Sequence, residues 1–479
     1  MKKIKKLLTI LTLFVTISPM FVYAAPPTPP SGGMPPGNNS SSVTYSGKTT
    51  ITKDTTKDGT TYSSTKGNQN ALLVSGGTCT LNNITIKKSG NSNGDNADFY
   101  GTNAAVLVYK GATLNINKAN ITTNGSHANA VFAYEKGTIN INDSTINTTS
   151  NNSGGVMVTG GGILNANNLY VTTKGNSSAA IRSDRGGGTL TVNGGTYETN
   201  GQGSPAIYST AKIIVNNAKL TSTSSEGIVV EGANSVKLNN VTLTDTNNTL
   251  NGNSETYKNI FLYQSMSGDA DKGTAKFTAQ NSNIITNKGD TIFVTNTTAT
   301  ITLENNIIKN TDGDFLRIQK GKWGNSGSNG GNVTMKLTNQ QVEGNIVVDN
   351  ISVLDLSISN NSVLKSSINK ENKAKKISIS LTEDSTLVLT NDTYINSLEN
   401  KKEDNSNIYL NGYKLYVDGK EINANKDTYK EETKKDDQTS TNNNIKTLVT
   451  VSSPIIVAIV IAAAALIFKI RKNSKTSIK

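Results

Sequence analysis

A repeat of about 25 residues runs through the chain and limits the folds open to it. Four consecutive segments align closely, with one inserted residue in the last: AAVLVYKGATLNINKANITTNG, NAVFAYEKGTININDSTINTTS, GGVMVTGGGILNANNLYVTTKG and AAIRSDRGGGTLTVNGGTYETNG. Equivalent apolar residues then recur, at first every 25 positions and later less regularly, at Val106, Val131, Val156, Ile181, Ile207, Ile228, Ile260, Ile292 and Leu316. A fixed period of this length is typical of stacked structural repeats.

Each repeat contains three short runs in which apolar and polar residues alternate, separated by Gly, Asn and Ser. In the first of the four segments these runs centre on Val106 and Val108, on Leu114 and Ile116, and on Ile121. Alternation of this kind predicts strands, and no helical periodicity interrupts it. Three strands per repeat predict an all-β domain over 43–422, a parallel β-helix of about fifteen coils stacked about 4.8 Å apart.

Asparagine provides a second regularity, because it follows the second strand of seven successive repeats. These residues are Asn82, Asn117, Asn142, Asn167, Asn193, Asn216 and Asn239. Stacked amide side chains can hydrogen-bond along the coil axis, and Asn tolerates the left-handed backbone of a tight bend. We therefore expect a structural asparagine ladder at this corner, with the bend at the ladder residues themselves.

The N-terminus has the pattern of an export signal. Residues 1–24 combine lysines, an apolar stretch and a small residue, Ala24, at which a signal peptidase could cut. Residues 25–42 are rich in Pro and Gly and predict a linker. The β-helix domain should therefore follow a cleaved signal peptide and lie outside the cell.

The C-terminus has the pattern of a membrane anchor. A polar, charged spacer at 423–447 leads to an uncharged stretch at 448–468, which is long enough to cross a bilayer as one helix. The basic tail at 469–479 should stay in the cytoplasm. We expect a single-pass protein of the cell membrane with its β-helix domain outside.

Charge and composition exclude several classes of function. Of the net charge of +12, four lysines of the signal and five basic residues of the tail contribute nine charges, so little remains for a nucleic-acid surface. The single cysteine, Cys79, excludes an intramolecular disulfide, and the single histidine, His127, excludes zinc sites that need two imidazoles. We expect no metal, no cofactor and no nucleic-acid partner.

The repeats and the asparagine pattern resemble the pectate-lyase-like superfamily of right-handed parallel β-helices. The segments GQGSPAIYS, YQSMSGDADKG, TDGDFLR and WGNSGSNGGNV are further similar to membrane-anchored, adhesin-like surface proteins of Gram-positive bacteria. The superfamily resemblance implies a right-handed coil. For the superfamily's enzymes, which act on acidic polysaccharides, it implies either a calcium site of clustered aspartates with an arginine base or paired aspartates that act as acid and base.

None of the acidic clusters matches the superfamily's catalytic pattern. The candidates are Asp269 with Asp271, Asp312 and Asp314 with Arg317, and Asp184 between Arg182 and Arg185. No catalytic residue is therefore assigned, and we favour a protein that is not an enzyme without excluding one.

Alternation places a largely apolar column on the outside of the first strand of each coil. Phe261, Tyr263 and Phe293 belong to it or to the next outward column, and Trp323 lies in an enlarged loop beside it. The two enlarged loops are 264–273 and 320–332, which lie two coils apart, and the second carries Trp323. These four rings, with Asp269, Asp271 and Lys322 as a polar rim, are the predicted binding residues.

Two other interpretations of the column stay open: a loop or the N-terminal segment covers it, or Trp323 plugs its loop against the coils. The sequence favours an adhesin-like protein that binds glycans or another surface protein without chemistry. The alternatives are a polysaccharide lyase or glycoside hydrolase, and a passive surface spacer.

Overall fold

The structure is a computed structural model, which describes residues 43–251 and 254–431. The predicted signal peptide at 1–24, linker at 25–42, membrane helix at 448–468 and tail at 469–479 lie outside these residues, as does most of the spacer. In the two described ranges, no helix has the length and apolar character needed to cross a membrane.

The chain forms a parallel β-solenoid of about fifteen coils, as the repeat predicted. One face, here called the first face, is a parallel sheet of twelve strands. In chain order these are Gly47–Ile51, Asn70–Val74, Val106–Val108, Val131–Ala133, Val156–Val158, Ile181–Ser183, Ile207–Ser209, Ile228–Glu231, Lys258–Tyr263, Asp290–Thr295, Leu316–Ile318 and Ile346–Val348.

The second face follows the first in each coil and is also parallel. Its strands are Thr55–Asp58, Thr78–Asn82, Thr113–Asn117, Thr138–Asn142, Gly162–Thr173, Gly188–Thr199, Lys212–Asn216, Ser235–Asn239, Thr274–Gln280, Thr297–Glu304, Gly331–Thr338, Val353–Ser359, Lys376–Leu381 and Ser397–Asn400. The two twelve-residue strands among them run on into the third face.

The third face closes each coil. Its other strands are Thr61–Ser64, Thr85–Lys88, Asn120–Thr123, Thr145–Thr148, Lys219–Ser222, Thr242–Asp245, Asn283–Thr286, Ile307–Asn310, Gln341–Glu343, Val363–Ser366, Thr386–Leu389 and Ile408–Tyr409. At the C-terminal end, Thr393–Ile395 pairs in parallel with Leu415–Val417, which pairs antiparallel with Lys420–Glu421. Backbone pairing continues to Asn425, whose N–H donates to the carbonyl of Ile408.

The predicted register of the first face is confirmed. Val106 pairs with Val131, Val131 with Val156, and so on through Leu316. These side chains point inward and, with the inward residues of the other two faces, form one continuous buried core along the solenoid. Every coil adds a layer of Val, Ile and Leu to this core, so neighbouring coils stabilise each other by burying it.

The asparagine ladder lies at the end of the second face. The Nδ2 of Asn117 donates to the Oδ1 of Asn82 at 2.8 Å, and Asn142, Asn167, Asn193 and Asn216 continue the chain of bonds at 2.7–3.0 Å. For Asn239, the seventh predicted residue, no side-chain hydrogen bond to another described residue is present.

The bend itself lies one residue later than the sequence suggested. The residues after the ladder have positive φ, from 47° to 74°: Asn83, Lys118, Asp143, Asn168, Gly194, Asn217 and Asn240. The ladder asparagines end extended strands. Asn is therefore selected at the ladder for its amide, and the left-handed bend falls on its neighbour.

A buried polar column ends the third face on the inner side. It consists of Ser64, Lys88, Thr123, Thr148, Thr173, Thr199, Ser222, Asp245 and Thr286, paired coil by coil. In a typical member, the hydroxyl of Thr148 donates to the backbone carbonyl of Ser153 at 2.6 Å, so that both buried polar groups at this corner have a partner. Lys88 and Asp245 are the charged exceptions in this column.

Candidate binding site on the first face

The outward residues of the first face are largely covered, so the apolar column is not an exposed stripe. Insertions between strands fold back over it at both ends, and only the middle remains open as a cleft. The column forms two buried clusters outside the main core. The prediction that these side chains face away from the core is confirmed, whereas the expectation that they are exposed is wrong.

The N-terminal cover is an insertion of about ten residues that carries a short helix, α1 (Asp95–Tyr100). It lies over Leu107, Phe132 and Met157. Gly101 ends the helix with φ of 71°, and a Cβ there would meet Leu107 and Phe132 within about 3 Å. Glycine thus permits both the left-handed end of the helix and its close approach to the face.

His127 ties this cover to the coils. Its Nδ1 lies 2.7 Å from Oδ1 of Asp98 in α1, and its Nε2 lies 3.0 Å from Nδ2 of Asn152 in the next coil. Thr159 adds a bond from its hydroxyl to the carbonyl of Phe99 at 2.7 Å. The only histidine therefore has a structural role in positioning α1.

The four predicted rings come together near the C-terminal end of the column, but as a buried cluster. The ring of Phe261 stacks on Tyr263 with centroids 4.5 Å apart and lies 5.8 Å from Phe293, while Trp323 lies 5.3 Å from Tyr263. Phe261, Tyr263 and Phe293 are 6%, 7% and 5% exposed. These three rings are thus unavailable to a ligand in this conformation, which corrects the expected open aromatic groove.

The loops that cover the rings are fastened to one another and to the coils. Trp323 packs against the cluster from above, and Lys322 forms an ion pair with Glu255 at 3.3 Å. Asn329 holds its own loop by donating to the carbonyls of Gly321 and Trp323 at 2.7 and 3.0 Å. The cover is therefore built from several interactions and not from Trp323 alone.

The predicted polar rim is dispersed around this cover. Asp269 turns away from the rings and accepts a hydrogen bond from Nε of Arg185 at 2.5 Å. Asp271 is exposed, and its backbone carbonyl accepts from the N–H of Ala233 at 2.8 Å. Lys322 lies in the other loop. The structure does not bring these three side chains together.

The two enlarged loops flank a groove of about 550 Å³. Gln264, Met266 and Lys272 line it on one side, and Asn325 and Asn332 line it on the other. Its floor includes Asn296, whose Nδ2 donates to the carbonyl of Gln264 at 2.7 Å. The groove is mainly polar, and Met266, Ile351 and Val353 provide apolar surface in its lining.

A second cavity, of about 230 Å³, lies in the open middle of the face, between α1 and the 264–273 loop. We call it the central cleft. It is lined by Phe99, Ser177, Ala179, Arg182, Asp184, Gly203, Pro205, Tyr208 and Asp269. Because Asp269 faces this cleft and Lys272 faces the groove, the 264–273 loop separates the two cavities.

Arg185 joins the walls of the central cleft. Its Nε donates to Asp269 on the loop, its Nη1 donates to Asp95 of α1 at 3.1 Å, and its guanidinium carbon lies 3.9 Å from the ring centre of Phe99. The α1 insertion and the 264–273 loop are therefore linked by one side chain that lies just after the strand Ile181–Ser183.

A buried hydrogen-bond network lies behind the cleft and centres on Glu231. The hydroxyls of Tyr208 and Tyr263 donate to its Oε2 at 2.5 and 2.8 Å, and Ser265 donates to its Oε1. Burial, together with Tyr263 and Glu231, raises the pKa of Tyr208 well above its ordinary value. The tyrosines therefore act as donors, and they fix the orientation of the Tyr208 ring at the cleft.

Asp184 is the titratable group of the cleft itself. It accepts a hydrogen bond from Nη2 of Arg182 at 2.9 Å and another from the N–H of Arg185 at 3.1 Å. Burial raises the pKa of Asp184 to about 6, opposed by Arg182 and reinforced by the charge of Asp269. Desolvation outweighs the ion pair here, so the carboxyl changes charge near pH 6.

The remaining acidic candidates are structural. Arg317 donates from Nε to Asp290 at 2.7 Å and also pairs with Asp314, while Asp312 accepts from the N–H of Gly289 at 2.7 Å. In the described parts of the chain, no group of three or more Asp, Glu, His or Cys residues is placed to hold a metal ion.

Sequence reasoning missed the central cleft, although two signals pointed to it. Asn82 and Asn117 are 35 residues apart where the repeat is 25, which marks the insertion that carries α1. Arg182 also places a charged residue in the middle of a largely apolar column. Neither signal indicates that the insertion folds back over the first face.

Comparison with known protein families, with curated proteins and with solved structures finds no match for this chain. The strand pairing defines the fold, and the groove and the central cleft are the two cavities of the first-face side on which the functional proposals rest.

Proposed function

We propose that the chain is an adhesin-like surface protein that binds glycans, without chemistry, in the groove between the 264–273 and 320–332 loops. In this proposal the signal at 1–24 exports the chain, the helix at 448–468 anchors it, and the solenoid extends outward from a Gram-positive cell membrane. The solenoid is right-handed and belongs with the pectate-lyase-like superfamily.

The groove is the observation that carries this proposal. Both loops are insertions at the same corner of a rigid stack, where binding residues commonly lie. The volume of about 550 Å³ falls in the usual range for ligand cavities, about 300–1,000 Å³. Amide, hydroxyl and ammonium groups in its lining supply donors and acceptors for sugar hydroxyls, and Met266 offers an apolar contact.

A glycan array probed with the full-length chain in detergent tests the proposal. Lys272→Ala and Asn332→Ala each remove a groove side chain that is exposed, so folding should be unaffected. We expect either change to weaken binding to the positive glycans at least fivefold. Lys336→Ala is the matched control, because Lys336 is exposed on the same strand as Asn332 and lies outside the groove lining.

The outcomes separate the alternatives. Binding of a surface protein but no glycan, lost in the same two variants, would support the protein-binding form of the hypothesis. Equal binding by wild type, groove variants and control would exclude the groove as the site. A chain that binds no glycan and no partner would favour the passive spacer.

A glycoside hydrolase or lyase is the second candidate, and Asp184 favours it. A buried carboxyl with a pKa of about 6 inside a cleft is suited to general acid catalysis. Release of reducing ends from polysaccharides, lost in Asp184→Asn, would support an enzyme. An unchanged rate in that variant would place any activity elsewhere.

A further inference from the structure

The central cleft is a second, smaller cavity whose lining differs from that of the groove. Phe99, Pro205 and the ring of Tyr208 provide apolar and aromatic surface, and Arg182 and Asp184 provide charge. At about 230 Å³ it is below the usual range for ligands of drug size, so it accommodates a single small ring or side chain.

Its polar groups are fixed in place before any ligand arrives. The side chains of Arg182 and Asp184 are only 14% and 4% exposed and pair with each other. Arg182 also donates from Nη1 to the carbonyl of Ser177 at 3.3 Å. Among the described residues these bonds engage two of the five N–H donors of a guanidinium, so donors remain for a ligand's oxygen atoms.

The charge around the cleft is negative. Five carboxylates, Asp95, Asp98, Asp184, Glu231 and Asp269, lie on or beside its walls, against two guanidinium groups and the imidazole of His127 that pairs with Asp98. The charge of Asp269 adds to burial in raising the pKa of Asp184, which shows that negative charge accumulates there. A cationic group in the cleft would relieve this repulsion, whereas a carboxylate would increase it.

We propose that the central cleft binds one amino-sugar residue, with its ammonium group towards Asp184 and Asp269, its hydroxyls on Arg182, and its apolar face on the aromatic wall. A lysine side chain would satisfy the carboxylates but offers no acceptor for the donors of Arg182. A neutral sugar would satisfy the arginine but not the excess negative charge. The proposal does not depend on glycan binding in the groove.

Titration calorimetry of the full-length chain in detergent, with glucosamine, glucose and glucuronate at pH 7, tests this inference. We expect glucosamine to bind at least tenfold more tightly than glucose and glucuronate not to bind. Asp184→Asn keeps the shape of the side chain and should remove the preference for glucosamine over glucose. Phe99→Ala should weaken both sugars, and Asp418→Asn, an exposed residue of the last coils, should change neither.

Lowering the pH through about 6 should weaken glucosamine binding, because Asp184 gains a proton and loses its charge. The groove variant Lys272→Ala should leave glucosamine binding unchanged, which separates this site from the groove. Equal affinity for the three sugars, tighter binding of glucuronate, no binding of glucosamine at tens of millimolar, or an unchanged preference in Asp184→Asn would each overturn the proposal. Equal binding of a lysine amide would show that the cleft recognises a cation and not a sugar.

Discussion

Replacing Asp245 by Thr should stabilise the protein at neutral pH. Asp245 is fully buried in the inward column that ends the third face, where Thr148 and Thr173 occupy the same place in other coils. Among the described residues neither carboxyl oxygen of Asp245 has a hydrogen-bond partner of normal geometry, whereas the hydroxyl of Thr173 donates to the carbonyl of Ser178 at 2.5 Å. Burial, reinforced by the charge of Glu226, raises the pKa of Asp245 well above its ordinary value.

The size of the expected gain in unfolding free energy follows from the hydrogen bonds that the Asp245 carboxyl lacks. An unsatisfied buried polar group costs about 1–3 kcal/mol, and a hydroxyl that finds its carbonyl contributes about 1 kcal/mol, so Asp245→Thr should gain about 2 kcal/mol at pH 7. Asp245→Asn should gain less but in the same direction, because its amide carries no charge in the unfolded chain at pH 7 that burial would have to remove.

The sign of the pH dependence is fixed by the direction of the shift. A carboxyl whose folded pKa is raised contributes most stability below its unfolded pKa of about 3.8, and this contribution is lost as the pH rises towards the folded pKa. The advantage of the Thr variant should therefore be larger at pH 7 than near pH 4, where only the cost of the missing hydrogen bonds remains. Urea unfolding followed by circular dichroism at both pH values measures it. A Thr variant less stable than wild type at pH 7 would show that Asp245 is ionised and paired, and the reasoning would fail.

Three further stability predictions follow from buried groups. Phe261→Ala should cost about 3 kcal/mol in urea unfolding, because its ring is buried in the covered cluster, and a loss below about 1 kcal/mol would mean the cover is loose. Burial lowers the pKa of Lys88 to about 8, so the wild-type protein should gain stability between pH 8 and 10 as the buried ammonium loses its proton. Lys88→Thr should lack this gain when the melting temperature is measured across the same pH range. Asn142→Ala should lower the free energy of unfolding by about 1–2 kcal/mol, because it removes two hydrogen bonds of the ladder. Asn239→Ala, outside the bonded ladder, should cost less, and equal effects of the two changes in chemical unfolding would refute a stabilising ladder.

The coil architecture was predictable because it repeats. Val106, Val131 and Val156 fix a period of 25 residues, and alternation around each of them fixes which side chains point inward. An error of one residue in register would place an entire apolar set on the wrong side, so the pattern admits one solution. The same regularity located the ladder asparagines, although not the left-handed residue beside each of them.

The covering of the first face was not predictable in the same way. The alternation of inward and outward residues predicts that the side chains of Phe261 and Phe293 point away from the core. It does not predict which residues pack on top of them. That depends on the paths of non-repeating insertions, which are fixed by single contacts such as the ion pair between Lys322 and Glu255 and the hydrogen bonds of Asn329. No periodic signal encodes such contacts, so the sequence located the rings and left their exposure open.

The position of the central cleft follows from where the outward column changes character. Apolar stretches of the column at either end need cover, and the α1 insertion and the loops around Trp323 supply it. Between them the column becomes polar at Arg182 and Tyr208, which need no cover. Raised segments on either side of this polar stretch leave a depression between them, and Arg185 links its walls by binding Asp95 of α1 and Asp269 of the 264–273 loop. The cleft is thus a consequence of how the solenoid protects its outer apolar residues, and its recognition chemistry is carried by the few residues that interrupt them.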